Sequence, residues 1–195
     1  MSRVGTVERQ TTETKIAVTV NLDGAGRSQI QTGIGFFDHM LILWTKHGHF
    51  DLTADVDGDF HIDGHHAVED MGIVLGQAFV QALGDKAGIK RYGNAFVPMD
   101  ETMAQVCVDI SGRPFLHYDA MIATERVGAF DTELVEEFLR AFAQHAGLTL
   151  HVRVLYGKNA HHIIEAIFKA LARSLAEAVQ QDERISGVMS TKGSL

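Results

Sequence analysis

The sequence is short of several things, and each shortage removes a class of answer. It has one cysteine, Cys107, so there is no internal disulfide framework, and a reduced compartment such as the cytoplasm fits. No apolar run is long enough to span a bilayer. Met1 to Gln10 has no apolar core of the kind a signal peptide needs. Positive charge is scarce: 17 Lys and Arg against 25 Asp and Glu leave a formal net charge of -8, so no nucleic-acid footprint is expected. What is left, 195 residues with 46% hydrophobic and 22% charged content, suits a globular chain able to bury a sizeable core.

Histidine is the exception, at 11 residues. Four of them form two doublets, His65-His66-Ala67-Val68-Glu69 and His161-His162-Ile163-Ile164-Glu165, placed 96 residues apart. Each opens an apolar segment of helical period: Val68, Met71, Val74, Leu75 and Ala78 after the first, Ile167, Phe168, Leu171 and Leu175 after the second. On a helix His65 and Glu69 share a face, as do His161 and Glu165. His66 and His162 then point about 100° away.

The segments around the doublets repeat as well. Thr14 to Val20 and Arg27 to Thr32 alternate as strands about a hairpin signal, Asp23-Gly24-Ala25-Gly26. A helix over Phe36 to His47, a strand over His49 to Val56, and the first doublet helix to about Leu83 follow. The second half gives strands over Met103 to Ile110 and Phe115 to Ile122. It continues with a helix capped by Asp131 or Thr132, a strand over Leu148 to Leu155, and a doublet helix reaching Gln181. Tyr92 to Glu101 adds a strand at the junction. Such an internal duplication, without a clear signal for parallel winding, predicts an α+β fold. Its two similar halves, 1–91 and 92–195, would each be a mainly antiparallel sheet covered on one face by two helices. The polar tail from Ile185 to Leu195 reads as a frayed end.

A lone histidine near an apolar helix is usually a satisfied polar residue. Two doublets with the same Glu at the same offset point instead to metal, and imidazole with carboxylate suits zinc, manganese or iron. If the halves face each other about a pseudo-twofold, His65 and Glu69 join His162 on one ion, and His161 and Glu165 join His66 on another. The preceding helix offers a fourth ligand in each half: His39 for the His66 ion and, at the matching position, Glu137 for the His65 ion. Such a centre could serve a hydrolase acting on a phosphorylated small molecule, a shell glued together by ions, or an elimination.

Three stretches narrow this. Thr32-Gly33-Ile34-Gly35-Phe36-Phe37-Asp38-His39-Met40, Asp63-Gly64-His65-His66-Ala67-Val68-Glu69-Asp70 and Gly157-Lys158-Asn159-Ala160-His161-His162-Ile163-Ile164-Glu165-Ala166-Ile167-Phe168-Lys169-Ala170 resemble imidazoleglycerol-phosphate dehydratase, in its single-function form. The resemblance implies a duplicated α+β fold and two manganese ions per active site. It also implies a shell of 24 subunits with the sites at subunit contacts. The implied reaction is loss of water from D-erythro-imidazoleglycerol phosphate to give imidazoleacetol phosphate, in histidine biosynthesis. The metals would favour a metal-bound imidazolate, which expels the hydroxyl on the carbon next to the ring. A base then takes the proton from the following carbon. Glu13, which resembles the family's substrate-contacting glutamate, is the candidate for that base, ahead of the Asp100-Glu101 pair, with Glu69 or Glu165 assisting the departing hydroxyl. The resemblance gives Arg91, Arg113, Lys169, Ser190, Thr191 and Lys192 as phosphate-side residues, which would order the tail over substrate. At the position of Glu137 the eukaryotic pattern has a histidine.

Overall fold

A computed structural model describes residues 3–195. The first half runs β1 (Val4–Gln10), β2 (Thr14–Asn21), β3 (Ser28–Gln31), α1 (Gly35–Gly48), β4 (Asp51–Gly58) and α2 (His65–Leu83). The second runs β5 (Tyr92–Met99), β6 (Thr102–Asp109), β7 (Phe115–Asp119), the short pair β8 (Arg126–Val127) and β9 (Phe130–Asp131), α3 (Leu134–Ala146), β10 (Thr149–Tyr156) and α4 (Ala160–Ala178). The main sheets have matching orders, β1-β2-β4-β3 and β5-β6-β10-β7. The expected α+β duplication is therefore present, with two similar sheet and helix units.

Three expectations change. No element is expected before Thr14, yet Val4–Gln10 forms β1, which pairs along its length with β2. Its alternation is masked because Gly5, Val7 and Arg9 face inward, and only one of these is a large apolar residue. The expected hairpin between β2 and β3 does not form. β4 lies between them, antiparallel to β2 and parallel to β3, and β7 likewise runs parallel to β10. A helix intervenes between the members of each parallel pair, and such a crossover is what parallel pairing requires. The Asp23 to Gly26 turn wraps over the end of β4, where Asp51 Oδ1 accepts from the amides of Ala25 and Arg27, both at 2.9 Å. Third, α3 has no side-chain cap: Glu133 occupies that position, while the Thr132 hydroxyl donates to the Thr124 carbonyl at 2.7 Å.

Helices pack in two ways. α2 lies on β1 and β2 and α4 on β5 and β6, while α2 also packs on α3 and α1 on α4. One buried apolar cluster therefore runs through both halves, with Phe37, Phe138, Phe142 and Phe168 in it. Glycine sets the closeness of these contacts. A Cβ at Gly5 would lie 1.9 Å from the Ala78 carbonyl oxygen, and one at Gly93 1.9 Å from that of Ser174. Gly5→Ala and Gly93→Ala should each destabilise the chain by about 1–3 kcal/mol, since the obstacle is backbone and a helix must shift. Urea unfolding measures this, and an unchanged midpoint would mean that the helix is not seated on the strand as described. Among the described residues no helix is long and apolar enough to cross a membrane.

The tail is tied down rather than frayed. Gly88 N donates to the Gly187 carbonyl at 2.8 Å, and Arg91 Nη1 to that of Met189 at 2.7 Å.

Candidate metal centre

α4 begins where the Asn159 side chain accepts a hydrogen bond from His162 N, a cap that fixes the doublet in the first turn. α1 begins beside it. Asp38 in its first turn accepts from Thr32 N at 2.7 Å and from the Thr32 hydroxyl at 2.6 Å. The packing of α1 on α4 then sets His39, His161 and Glu165 together, with one ligand atom from each lying within 4.8 Å of the others. His161 Nε2 is 3.1 Å and His39 Nε2 3.4 Å from the same Glu165 oxygen. Neither imidazole has another hydrogen-bond partner among the described residues. Two ring nitrogens converging on one carboxylate oxygen, with no other use, fit a transition-metal ion.

Glu165 is 7% exposed. Burial opposes its charge, but Lys169 Nζ at 2.5 Å, with His161 and His39, more than offsets this and holds the carboxyl below its usual range. Lys169 thus stands one turn along α4 from the triad. His47, two turns beyond His39, completes a basic face with Lys169 and Arg173. Burial first, then the charges of those two residues, keeps the His47 imidazole below its ordinary pKa. The sequence reading gave His47 and Arg173 no role. Their spacings on α1 and α4 were the available signal.

The other doublet histidines are held differently, and alike. The two rings of each doublet are nearly perpendicular, at 90° and 80°. His66 Nδ1 meets Asp59 Oδ2 at 2.9 Å, and His162 Nδ1 meets Glu101 Oε2 at 2.7 Å. These carboxylates are the leading cause that raises each histidine's pKa. Both arrangements leave Nε2 outward, with the ring fixed by a carboxylate on the other nitrogen, as metal-ligating histidines commonly are. Glu13 lies 3.9 Å from His66 Nε2, and Asp100 3.6 Å from His162 Nε2. Within one chain, then, His66 sits with Glu13 and Asp59, apart from the triad. Asp59, seven residues before His66 in a turn, carried no periodic signal.

His65 and Glu69 stand 3.9 Å apart on α2. Glu137 is half-buried in the first turn of α3, which packs on α2, and it makes no hydrogen bond or ion pair among the described residues. Glu137 and His39 are both ten residues before their helix C-caps, Gly147 and His49. Glu137 thus holds on α3 the place that His39 holds on α1, but among the described residues only His39, His161 and Glu165 bring three ligand atoms within 4.8 Å of one another.

Of the residues expected on the phosphate, Lys169 lies beside the triad and the others gather elsewhere. Arg91 is bound to Asp109 at 2.6 and 3.0 Å and to the tail. Arg113 is 3.9 Å from the same Asp109 and mostly exposed. Ser190 and Thr191 line a hollow with Arg91 and Tyr92, and Lys192 N donates to Ser190 Oγ.

Residues 32–175 match the family model described as imidazoleglycerol-phosphate dehydratase. The chain is 59% identical over its full length to the full-length imidazoleglycerol-phosphate dehydratase of Acetivibrio thermocellus. It is 60% identical over 192 residues, 98% of each chain, to that of Clostridium botulinum. The crystal structure of the Staphylococcus aureus dehydratase superposes with a TM-score of 0.84 at 44% identity, covering 92% of this chain and 99% of that one. That of the Pyrococcus furiosus protein, solved in complex with (S)-C348, also gives 0.84, at 36% identity, covering 97% and 100%. The chain therefore belongs to the imidazoleglycerol-phosphate dehydratase family, metal-dependent lyases of histidine biosynthesis, and its activity is the dehydration of imidazoleglycerol phosphate.

Proposed function

We propose that each working centre is shared between copies of this chain. The observation that carries this is the placement of the site residues at opposite ends of α4. The triad is at its N-terminal end. Arg91 N donates to the carbonyl of Ala178 at the other end, 13 residues and about 20 Å of helix from Glu165. A three-carbon phosphate ester cannot reach both. Arg91, Arg113, Ser190, Thr191 and Lys192 of one subunit therefore hold the phosphate of a substrate whose ring lies on a neighbour's helices, where Lys169 adds positive charge.

In this assembly His39, His161 and Glu165 receive His66 from a neighbour, and Glu137, His65 and Glu69 receive His162. Each triad thus draws on both duplicated bodies: 1–91 gives His39, His65, Glu69 and the lone His66, and 92–195 gives Glu137, His161, Glu165 and the lone His162. Two ions, manganese by resemblance, would act when bound as Lewis acids that make the imidazole ring an electron sink. The hydroxyl departs with Glu69 or Glu165 beside it, Glu13 takes the proton from the following carbon, that proton and the hydroxide together make up the water lost, and the resulting enol becomes the ketone. A 24-subunit shell and a cytoplasmic location complete the reading.

Mixed assemblies test the sharing. Glu165→Gln chains and Arg113→Ala chains should each be nearly inactive alone and regain dehydratase activity when co-assembled. No recovery in demonstrably mixed particles would place the whole site in one chain. Release of inorganic phosphate in place of a phospho-ketone would favour hydrolysis.

A further inference from the structure

The two halves differ where they carry a turn carboxylate. Strand residues of the second half lie 88 positions after those of the first: Gln10 pairs with Lys15 as Pro98 pairs with Met103. Doublet-helix residues lie 96 positions after theirs, so Gly5 abuts Ala78 as Gly93 abuts Ser174. On this frame Glu13 corresponds to Glu101, Thr14 to Thr102, Arg9 to Val97 and Asp70 to Ala166.

Glu101 is fully engaged. It accepts from the amides of Lys158 and Asn159 at 3.1 and 2.7 Å and from the Thr102 hydroxyl at 3.2 Å, and it holds His162. Glu13 is half-exposed and accepts no hydrogen bond among the described residues; its charged neighbour is His66 at 3.9 Å. The Thr14 hydroxyl, which would correspond to Glu101's donor, is given instead to Asp70 Oδ2 at 2.5 Å. Arg9 Nη1 reaches the same oxygen at 2.5 Å. Asp70 is 6% exposed on α2, one turn after His66, whose Nδ1 is already occupied by Asp59. The amides of Glu13 and Thr14 are taken by Thr11 Oγ1 at 3.1 and 3.0 Å.

We propose that Arg9, Asp70 and Thr14 are positioning residues: they clamp the β1–β2 turn onto α2 and keep the Glu13 carboxylate unpaired beside His66. The proposal rests on Glu13 being the base. The clamp holds by a hydrogen bond from Thr14 and an ion pair from Arg9 on one buried oxygen, Arg9 Nη1 lying close to it without the alignment of a hydrogen bond. Without Asp70 the Thr14 hydroxyl is released to bind Glu13 as Thr102 binds Glu101, and Arg9 loses its ion pair.

The test writes the second half's residues into the first. Asp70→Ala alone leaves the Arg9 charge uncompensated and destabilises the fold, so the informative variant is Arg9→Val with Asp70→Ala. This double variant should fold and keep wild-type metal per chain and KM within twofold, while kcat falls about ten- to a hundred-fold, as for a misplaced reacting group. Asp70→Asn, which still offers Thr14 an acceptor, should retain more kcat than Asp70→Ala. A crystal structure of the double variant should show Glu13 hydrogen-bonded to Thr14 or His66. Wild-type kcat in the folded double variant, a loss confined to KM, or an unmoved Glu13 would overturn the clamp. If Glu13→Gln left turnover intact, the role of Glu13 as base would fail, while the position of Glu13 in the crystal would still decide the clamp.

Discussion

Glu165→Gln is expected to lower turnover about 10²–10³-fold and to remove about one bound ion per chain. The size follows from what the carboxylate does. Both His39 and His161 aim a ring nitrogen at its Oε2, and Lys169 holds its Oε1 at 2.5 Å. The amide keeps the shape but brings no charge to the ion, and losing one such preorganised group costs about 3–4 kcal/mol of transition-state stabilisation. It also leaves Lys169, only 16% exposed in its side chain, without its counter-charge, at a cost to stability of about 1–3 kcal/mol. Metal analysis with a product assay reads the first effect, and chemical denaturation of metal-free protein reads the second. Full metal loading with turnover within twofold of wild type would take Glu165 out of the centre.

Glu13→Gln is expected to act on a different quantity. Turnover should fall about 10²–10⁴-fold, the range for loss of a positioned general base, with bound metal unchanged. Among the described residues the Glu13 carboxylate accepts no hydrogen bond, and its neighbour His66 is oriented by Asp59, so the substitution removes the proton acceptor without undoing the histidine. Metal loss in step with activity would make Glu13 a ligand, and unchanged turnover would remove it from the reaction.

The doublets show how far a sequence can be read. A period of 3.6 residues is a local property, so the helices they open, the shared face of His161 and Glu165, and the match of Glu137 to His39 could be seen without coordinates. Pairing between strands is not local. The turn at Asp23 to Gly26 has hairpin chemistry, yet β4 enters between β2 and β3 because a crossover helix makes the parallel pairing available. β1 was invisible for a related reason: Gly5 and Arg9 face inward there to suit the Ala78 backbone and Asp70, partners that lie far along the chain.

Sequence by itself determined the duplication, the ligand types, their helical faces and the family, because each is written in spacing and residue identity. Tertiary structure alone decided which ligands meet. His39 reaches Glu165 across 126 positions because α1 packs on α4. His66 turns to Asp59 and Glu13 instead, because its face of α2 looks toward the β1–β2 turn. Packing of apolar faces chooses these neighbours, and no pattern within either helix encodes the choice.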